Sequence, residues 1–174
     1  MSRRNALIGL AVAAVALGTV LLAIDPANEA EGNPSILDWE FAWSEEGAEE
    51  IRAHWGDEGE DAARLSLWID FGYLLVYGAF LLLATAATRD FATARGFRRL
   101  AAVGTVAIAA AAAAPVCDAI EDVWLLIALA GEGGDLAPLL GGVFASLKFV
   151  ALAVAVVYLL VGLVARLRTR AATA

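Results

Sequence analysis

Four stretches of this chain are apolar over a length that can cross a bilayer, and they lie at 5–24, 66–88, 100–130 and 137–166. The hydrocarbon core of a membrane takes about 20 helical residues. A soluble bundle would show apolar stripes with polar faces between them, whereas these runs have almost no polar face. With 61% hydrophobic residues among 174, the sequence predicts an all-α fold. We expect a polytopic membrane protein, an antiparallel bundle of four transmembrane helices that forms one domain over 1–174.

Charge placement predicts the orientation of these helices. Only Arg52 and Arg64 fall on the other side of the membrane from the remaining arginines, which are Arg3, Arg4, Arg89, Arg95, Arg98, Arg99, Arg166, Arg168 and Arg170. Basic residues are retained on the cytoplasmic side. We therefore expect a multi-pass protein of the plasma (inner) membrane, with both termini cytoplasmic and 25–65 exterior.

The first apolar run is expected to be a retained span. It is longer than the roughly 7–15 apolar residues of a secretory signal peptide, and no clean cleavage site follows it. The chain has a single cysteine, Cys117, so an intrachain disulfide is impossible.

The exterior segment 25–65 carries thirteen of the twenty acidic residues. Such a run is typical of a solvated surface, and the alternative is that it attracts cations toward the outer mouth of the bundle. Basic residues interleaved with aromatic ones are absent from the sequence, so we expect no nucleic-acid partner. The expected partner is the lipid bilayer.

A short amphipathic helix is predicted within this exterior segment, over 45–55. Ser44 is suited to cap its start, Ile51 and Trp55 share one face, and Gly56 is suited to end it. A second helix is expected to begin near Asp57 and to continue into the second span. The tryptophans map to the exterior side, where they either anchor the chain at the headgroups or form a lid over the bundle.

Ionisable residues inside the apolar runs mark a candidate ligand-binding site in the outer half of the membrane. Each such group costs at least about 2.5–3.5 kcal/mol in lipid unless it has a partner or water. The second span places an acid and two tyrosines on one face, the third contributes three acids, and the fourth one lysine. The candidate site residues are Asp70, Tyr73, Tyr77, Asp118, Glu121, Asp122 and Lys148.

The third run also has the composition of a central helix. Residues 101–114 are nearly all small, and small residues let neighbouring helices approach closely. Pro115 follows and permits a kink where the acids begin.

Two interpretations of the ionisable cluster stay open. It can be an internal network in which Lys148 pairs with one or two carboxylates and fixes helix register. Alternatively, the excess of four acids over one lysine recruits a cation, and Glu121 and Asp122 are then expected to contribute most. No cofactor is expected, and a divalent cation held by oxygen ligands is the alternative. Cys117 and Glu121, with His54 as the only histidine, form a weak zinc pattern.

The corresponding functional hypotheses belong to different classes. The first is a pocket that binds a cation, an amphipathic small molecule or a lipid headgroup. The second is a membrane-embedded enzyme that modifies lipids with a carboxylate as general acid or base, and the third is a structural subunit without a ligand. Phosphate-binding loops, serine nucleophile motifs and dinucleotide fingerprints are absent from the sequence. Oligomer formation is left open.

Several short motifs together resemble those of a family of small four-span bacterial integral membrane proteins that has no established activity. The segments that carry the resemblance are 41–44, 51–55, 68–77, 117–122 and 148–149. The resemblance extends over nearly the whole chain. The resemblance implies the four-span fold and the importance of these positions, and it implies no catalytic role.

Overall fold

The computed structural model describes residues 2–171, without the side chain of Arg170, so the ends of the predicted 1–174 domain lie outside the described residues. Over this range the chain is helical, with a short 3₁₀ helix at Pro26–Asn28. The five α-helices are α1 (Arg3–Ala23), α2 (Ile36–Glu40), α3 (Glu45–Ala94), α4 (Arg98–Leu129) and α5 (Leu136–Ala171). Helices α1, α3, α4 and α5 are long and apolar enough to cross a membrane, which confirms the predicted fold class.

Helix α3 contains the two predicted helical segments. The Ser44 hydroxyl accepts a 3.1 Å hydrogen bond from the backbone N–H of Gly47 and caps the start. Gly56 then adopts φ 59° and ψ −166°, a conformation outside the helical region. Positive φ is costly for residues with a side chain, so glycine is the residue suited to this break. A 3.0 Å ion pair between Arg52 and Glu60 spans it.

Helix α4 is the central element of the bundle, as predicted, and packs against both α3 and α5. Ala107, Ala111 and Ala114 are completely buried on it. Pro115 on the same helix lies against Gly78 of α3, where an added methyl group would come within 2.9 Å of the proline ring. Small residues at both surfaces therefore let the helix backbones approach closely.

Helix α1 is the peripheral member of the bundle. It packs against α3 and has almost no contact with α5. None of its residues is buried. The ring of Tyr73 lies against Gly18 of α1, at ordinary van der Waals distance from the position of an added methyl group. The side of the bundle between α1 and α5 is consequently open.

One end of the bundle is covered by α2 and the first segment of α3, and we call it the capped end. Trp39 of α2 and Trp55 of α3 are both buried, with ring centroids 5.2 Å apart. They pack on Leu125 and Leu129 of α4. The Trp55 indole donates a 2.6 Å hydrogen bond to the carbonyl oxygen of Pro34. The interpretation of these two tryptophans as anchors in a headgroup belt is therefore wrong, because both lie inside a protein core.

Helix α2 was not predicted from the sequence. Ser35 and Asp38 form a reciprocal capping box at its start, and these hydrogen bonds from Ser35 hold the pKa of Asp38 below its usual range. The cap, formed by α2 and the first segment of α3, is also held to the turn between α4 and α5. The backbone N–H of Glu45, at the start of α3, donates a 2.9 Å hydrogen bond to Asp135. Contacts of α2 with α3, α4 and α5 place it over the interior of the bundle.

The opposite end holds the starts of α1 and α4 and the ends of α3 and α5, and we call it the arginine-rich end. Arg3 of α1 forms a 2.6 Å ion pair with Asp90 of α3. Arg166 of α5 donates a 2.9 Å hydrogen bond to the carbonyl oxygen of Ala87 and lies 4.9 Å above the ring of Phe91. The ends of three helices are joined in this way.

Candidate ligand-binding site

Lys148 of α5 lies at the centre of a buried polar cluster between the capped end and the apolar interior of the bundle. Its ammonium nitrogen donates a 2.8 Å hydrogen bond to Oε1 of Glu121. It also lies 3.0 Å from Oδ1 of Asp118 and 3.3 Å from Oε2 of Glu40. The expectation that Lys148 pairs with one or two carboxylates is therefore wrong, since three contact it.

Glu40 is the functional candidate that the sequence did not identify. It is the last residue of α2, and only 15% of its side chain is exposed. Burial raises the pKa of the Glu40 carboxyl above its usual range, and this effect outweighs the attraction of Lys148. In the sequence Glu40 is one acid among many in the exterior segment. The capping box at Ser35 and Asp38 is the signal that could have revealed a helix there.

Asp118 is held from two sides. Its Oδ1 atom faces Lys148, and its Oδ2 atom accepts a 2.6 Å hydrogen bond from the hydroxyl of Tyr77. Asp118 is only 3% exposed. A carboxylate with both oxygen atoms contacted by donors is compensated for its burial, so Asp118 belongs to the structural part of the cluster.

Asp122 and Asp70 have a different environment. Carboxylate oxygens of Asp70, Asp118 and Asp122 all lie within 4.8 Å of one another. Asp122 is 2% exposed, and its Oδ2 atom has no hydrogen-bond partner among the described residues. Lys148 contacts three other acids and forms an ion pair with neither Asp70 nor Asp122. An unpaired buried carboxylate is costly unless it binds a proton or a cation.

A cavity of about 450 Å³ adjoins this cluster. Asp70, Asp118, Asp122, Glu40 and Lys148 form its polar side. Its other walls are apolar and aromatic, and they include Ala14, Leu21, Phe80, Phe149 and Leu152. Leu21 belongs to α1 and Leu152 to α5, so the cavity lies at the open side of the bundle between these helices.

The structure brings together all but one of the candidate site residues on the cavity wall. Asp70, Tyr73, Tyr77, Asp118, Asp122 and Lys148 line the cavity. Glu121 is absent from the wall and completely buried behind it, where it contacts Lys148. The geometry thus gives Glu121 the position of an internal counter-ion rather than that of a ligand contact.

The residues of the zinc pattern are not gathered at this site. His54 is exposed on α3, and its Nδ1 atom lies 2.7 Å from the carbonyl oxygen of Glu50. Cys117 is a free thiol on α4. The one group of potential metal ligands found in the described part of the chain consists of Asp70, Asp118 and Asp122. Carboxylate oxygens alone favour hard cations over zinc.

Comparisons with protein-family models, curated proteins and solved structures found no match.

Proposed function

We propose that this chain is an integral membrane protein that binds an amphipathic cation in the cavity beside Lys148. The observation that carries the proposal is the unpaired, buried carboxylate of Asp122, which lies with Asp70 on the cavity wall. Five acids, among them Glu40, face a single lysine. A cationic group at Asp70 and Asp122 would supply the charge that the protein itself does not.

The proposed orientation follows the distribution of arginines. With the arginine-rich end in the cytoplasm, both termini are cytoplasmic and the capped end is exterior, in a plasma (inner) membrane. The cavity then lies in the outer half of the bilayer. The acidic cap, which carries most of the negative charge of the chain, raises the local concentration of cations at this side.

The shape of the cavity favours a ligand with an apolar body. Its volume of about 450 Å³ is far larger than a bare ion and lies in the range of small-molecule pockets, roughly 300–1,000 Å³. The polar groups lie together on one side, and Phe80, Leu81 and Leu152 line the rest. A primary amine or amine headgroup with an alkyl or aromatic tail matches this division.

A second candidate ligand is a hard divalent cation at the three aspartates. The clustering of Asp70, Asp118 and Asp122 oxygens within 4.8 Å favours it. Oxygen-only ligand sets suit Mg²⁺ or Ca²⁺. A divalent cation would also bind Asp70 and Asp122, but it would not contact the apolar walls of the cavity.

Binding to purified protein in nanodiscs tests both candidates. The probes are dodecylamine, dodecanol as its uncharged counterpart, and Mg²⁺ or Ca²⁺ alone. We expect dodecylamine to bind, dodecanol to bind much more weakly, and Asp122→Asn to lower amine affinity by about tenfold or more, as for loss of a charged hydrogen bond.

Asp90→Asn is the matched control, because Asp90 is paired with Arg3 at the other end of the bundle. Equal binding of amine and alcohol would contradict the amine site. Binding of the metal ions alone would support the second candidate. If no probe binds, the cluster is an internal structural network.

A further inference from the structure

A second apolar groove lies between α4 and α5 near the arginine-rich end. It encloses about 640 Å³, and its walls are formed by Leu100 and Val103 of α4 and by Val154, Val157 and Val161 of α5. Val157 is 59% exposed. The groove is separate from the acidic cavity, because the two share no lining residue. Its walls are suited to hold a hydrocarbon chain.

Arg99 lines one end of this groove, and Arg98 is its neighbour in the chain. A cavity of about 440 Å³ lined by Arg98, Arg99 and Ala165 adjoins the groove at Arg99 and Leu100. Both arginines are exposed. Among the described residues neither forms an ion pair, whereas Arg3 at the same end is paired with Asp90. The groove thus ends at two positive charges without a protein counter-ion.

The local helix geometry adds to this positive potential. Arg98 and Arg99 occupy the first turn of α4, which contains no acidic residue, and Phe97 before it provides no side-chain cap. Positive side chains are unfavourable at a helix N-terminus, where the helix dipole favours an anion. A phosphate group would therefore interact with the arginines and with the helix end.

We propose that the α4–α5 groove binds an anionic phospholipid, with an acyl chain along the valines and the phosphate between Arg98 and Arg99. A second copy of this chain is the competing occupant. Two copies in the same orientation that met at this groove would bring their Arg98 and Arg99 side chains to the same depth. Repulsion between these like charges disfavours that arrangement.

Lipid binding to the purified full-length protein in detergent tests the proposal, with bound lipids counted by native mass spectrometry. The probes are phosphatidylglycerol and phosphatidylcholine with identical acyl chains. We expect phosphatidylglycerol to bind preferentially. Because each basic residue near an anionic lipid contributes about a fivefold change in affinity, R98Q/R99Q should reduce that preference at least about tenfold.

Two further variants test whether lipid binding depends on the arginine pair and the groove rather than on the general positive charge of this end. Arg168→Gln removes an exposed arginine of α5 at the same end that lines neither cavity, and it should lower the preference by no more than about fivefold. Val157→Trp fills the groove and should lower the binding of both lipids.

Three results would overturn the assignment. The first is equal binding of the two lipids to the wild type, and the second is equal loss in R98Q/R99Q and Arg168→Gln. The third is a Val157→Trp protein that keeps its bound phosphatidylglycerol but changes oligomeric state, which would identify the groove as a contact between copies. All three results are independent of whether the acidic cavity binds an amine.

Discussion

The hydroxyl of Tyr77 donates a 2.6 Å hydrogen bond to Oδ2 of Asp118. This contact links α3 to α4 and leaves the other oxygen of Asp118 facing Lys148 at 3.0 Å. Asp118 is thus held in place by a phenol and an ammonium group from two different helices. Asp70 and Asp122 are left as the acids available to the amine ligand proposed above.

We expect Lys148→Met to destabilise the bundle strongly. Removal of one partner from a buried ion pair typically costs about 3–5 kcal/mol, and here three carboxylates lose their counter-ion. Adding Asp118→Asn should recover only part of the loss, because Glu40 and Glu121 stay uncompensated. The measurement is the free energy of unfolding in mixed micelles. Arg3→Met is the control, since an exposed pair contributes about 0–1 kcal/mol, and equal losses in the two variants would contradict a buried network.

Tyr77→Phe should lower stability while Tyr73→Phe should not. The first variant removes the hydrogen bond to Asp118, and leaving a buried acceptor unsatisfied costs about 1–3 kcal/mol. The Tyr73 hydroxyl has no hydrogen bond within the described range 2–171, and phenylalanine keeps the ring contact with Gly18. Unfolding of the two variants under identical conditions provides the comparison. Similar values for both would show that the hydroxyl at Tyr77 contributes nothing specific.

Stability of the cap should decrease as the pH rises. The pKa of Glu40 is raised by burial, so the folded protein binds more protons than the unfolded chain between the usual value of 4.5 and the raised value. The contribution of this group to stability is therefore present at low pH and is lost as pH rises through that window. The readout is the unfolding midpoint against pH for wild type and Glu40→Gln.

The variant Glu40→Gln should lack this component of the pH dependence. Asp118, Glu121 and Lys148 face Glu40 and are present in both proteins, so the two proteins differ only in the Glu40 carboxyl. Glu49→Gln, a change of an exposed acid on α3, is the control and should follow the wild type. Identical curves for all three proteins would refute the role assigned to Glu40.

Gly78→Val should disrupt the contact between α3 and α4. An added Cβ at Gly78 lies 2.9 Å from the Pro115 ring, whereas at Gly72 on the same helix it meets no atom within 4 Å. Overpacking typically costs about 1–3 kcal/mol. Because the two substitutions change helix propensity equally, the difference in unfolding free energy between Gly78→Val and Gly72→Val measures the contact. No difference would argue against this helix packing.

The membrane orientation is tested by cysteine labelling in intact cells, in a Cys117→Ala background. Glu46→Cys should react with an impermeant maleimide from outside, and Thr93→Cys should react only after permeabilisation. Both positions are exposed. Glu46 is chosen because it lies within the first turn of α3 rather than at its cap, so that the substitution leaves the Ser44 cap intact. External labelling at Thr93 would reverse the proposed orientation.

The sequence predicted the four long helices, the break at Gly56 and the small-residue surface of α4, because length and local pattern determine these features. It also predicted that Lys148 and the acids of α4 lie together, since ionisable groups in apolar helices need partners. The position of Glu40 could not be predicted in this way. Its burial depends on the packing of Trp39 against Trp55, a tertiary contact that no local pattern specifies. The position of Glu121 behind the cavity wall likewise depends on side-chain packing.

The position of Lys148 has a consequence for how the protein is made. The acids Asp118, Glu121 and Asp122 lie on α4, and their counter-ion lies on α5, which is synthesised afterwards. A lone α4 would carry three uncompensated acids into lipid, at a cost of at least about 2.5 kcal/mol each. Helices α4 and α5 should therefore leave the insertion machinery together as a hairpin. Glu40, although synthesised earlier, can reach its ammonium partner only after that hairpin is in place, so the cap should close over Lys148 after the hairpin has inserted.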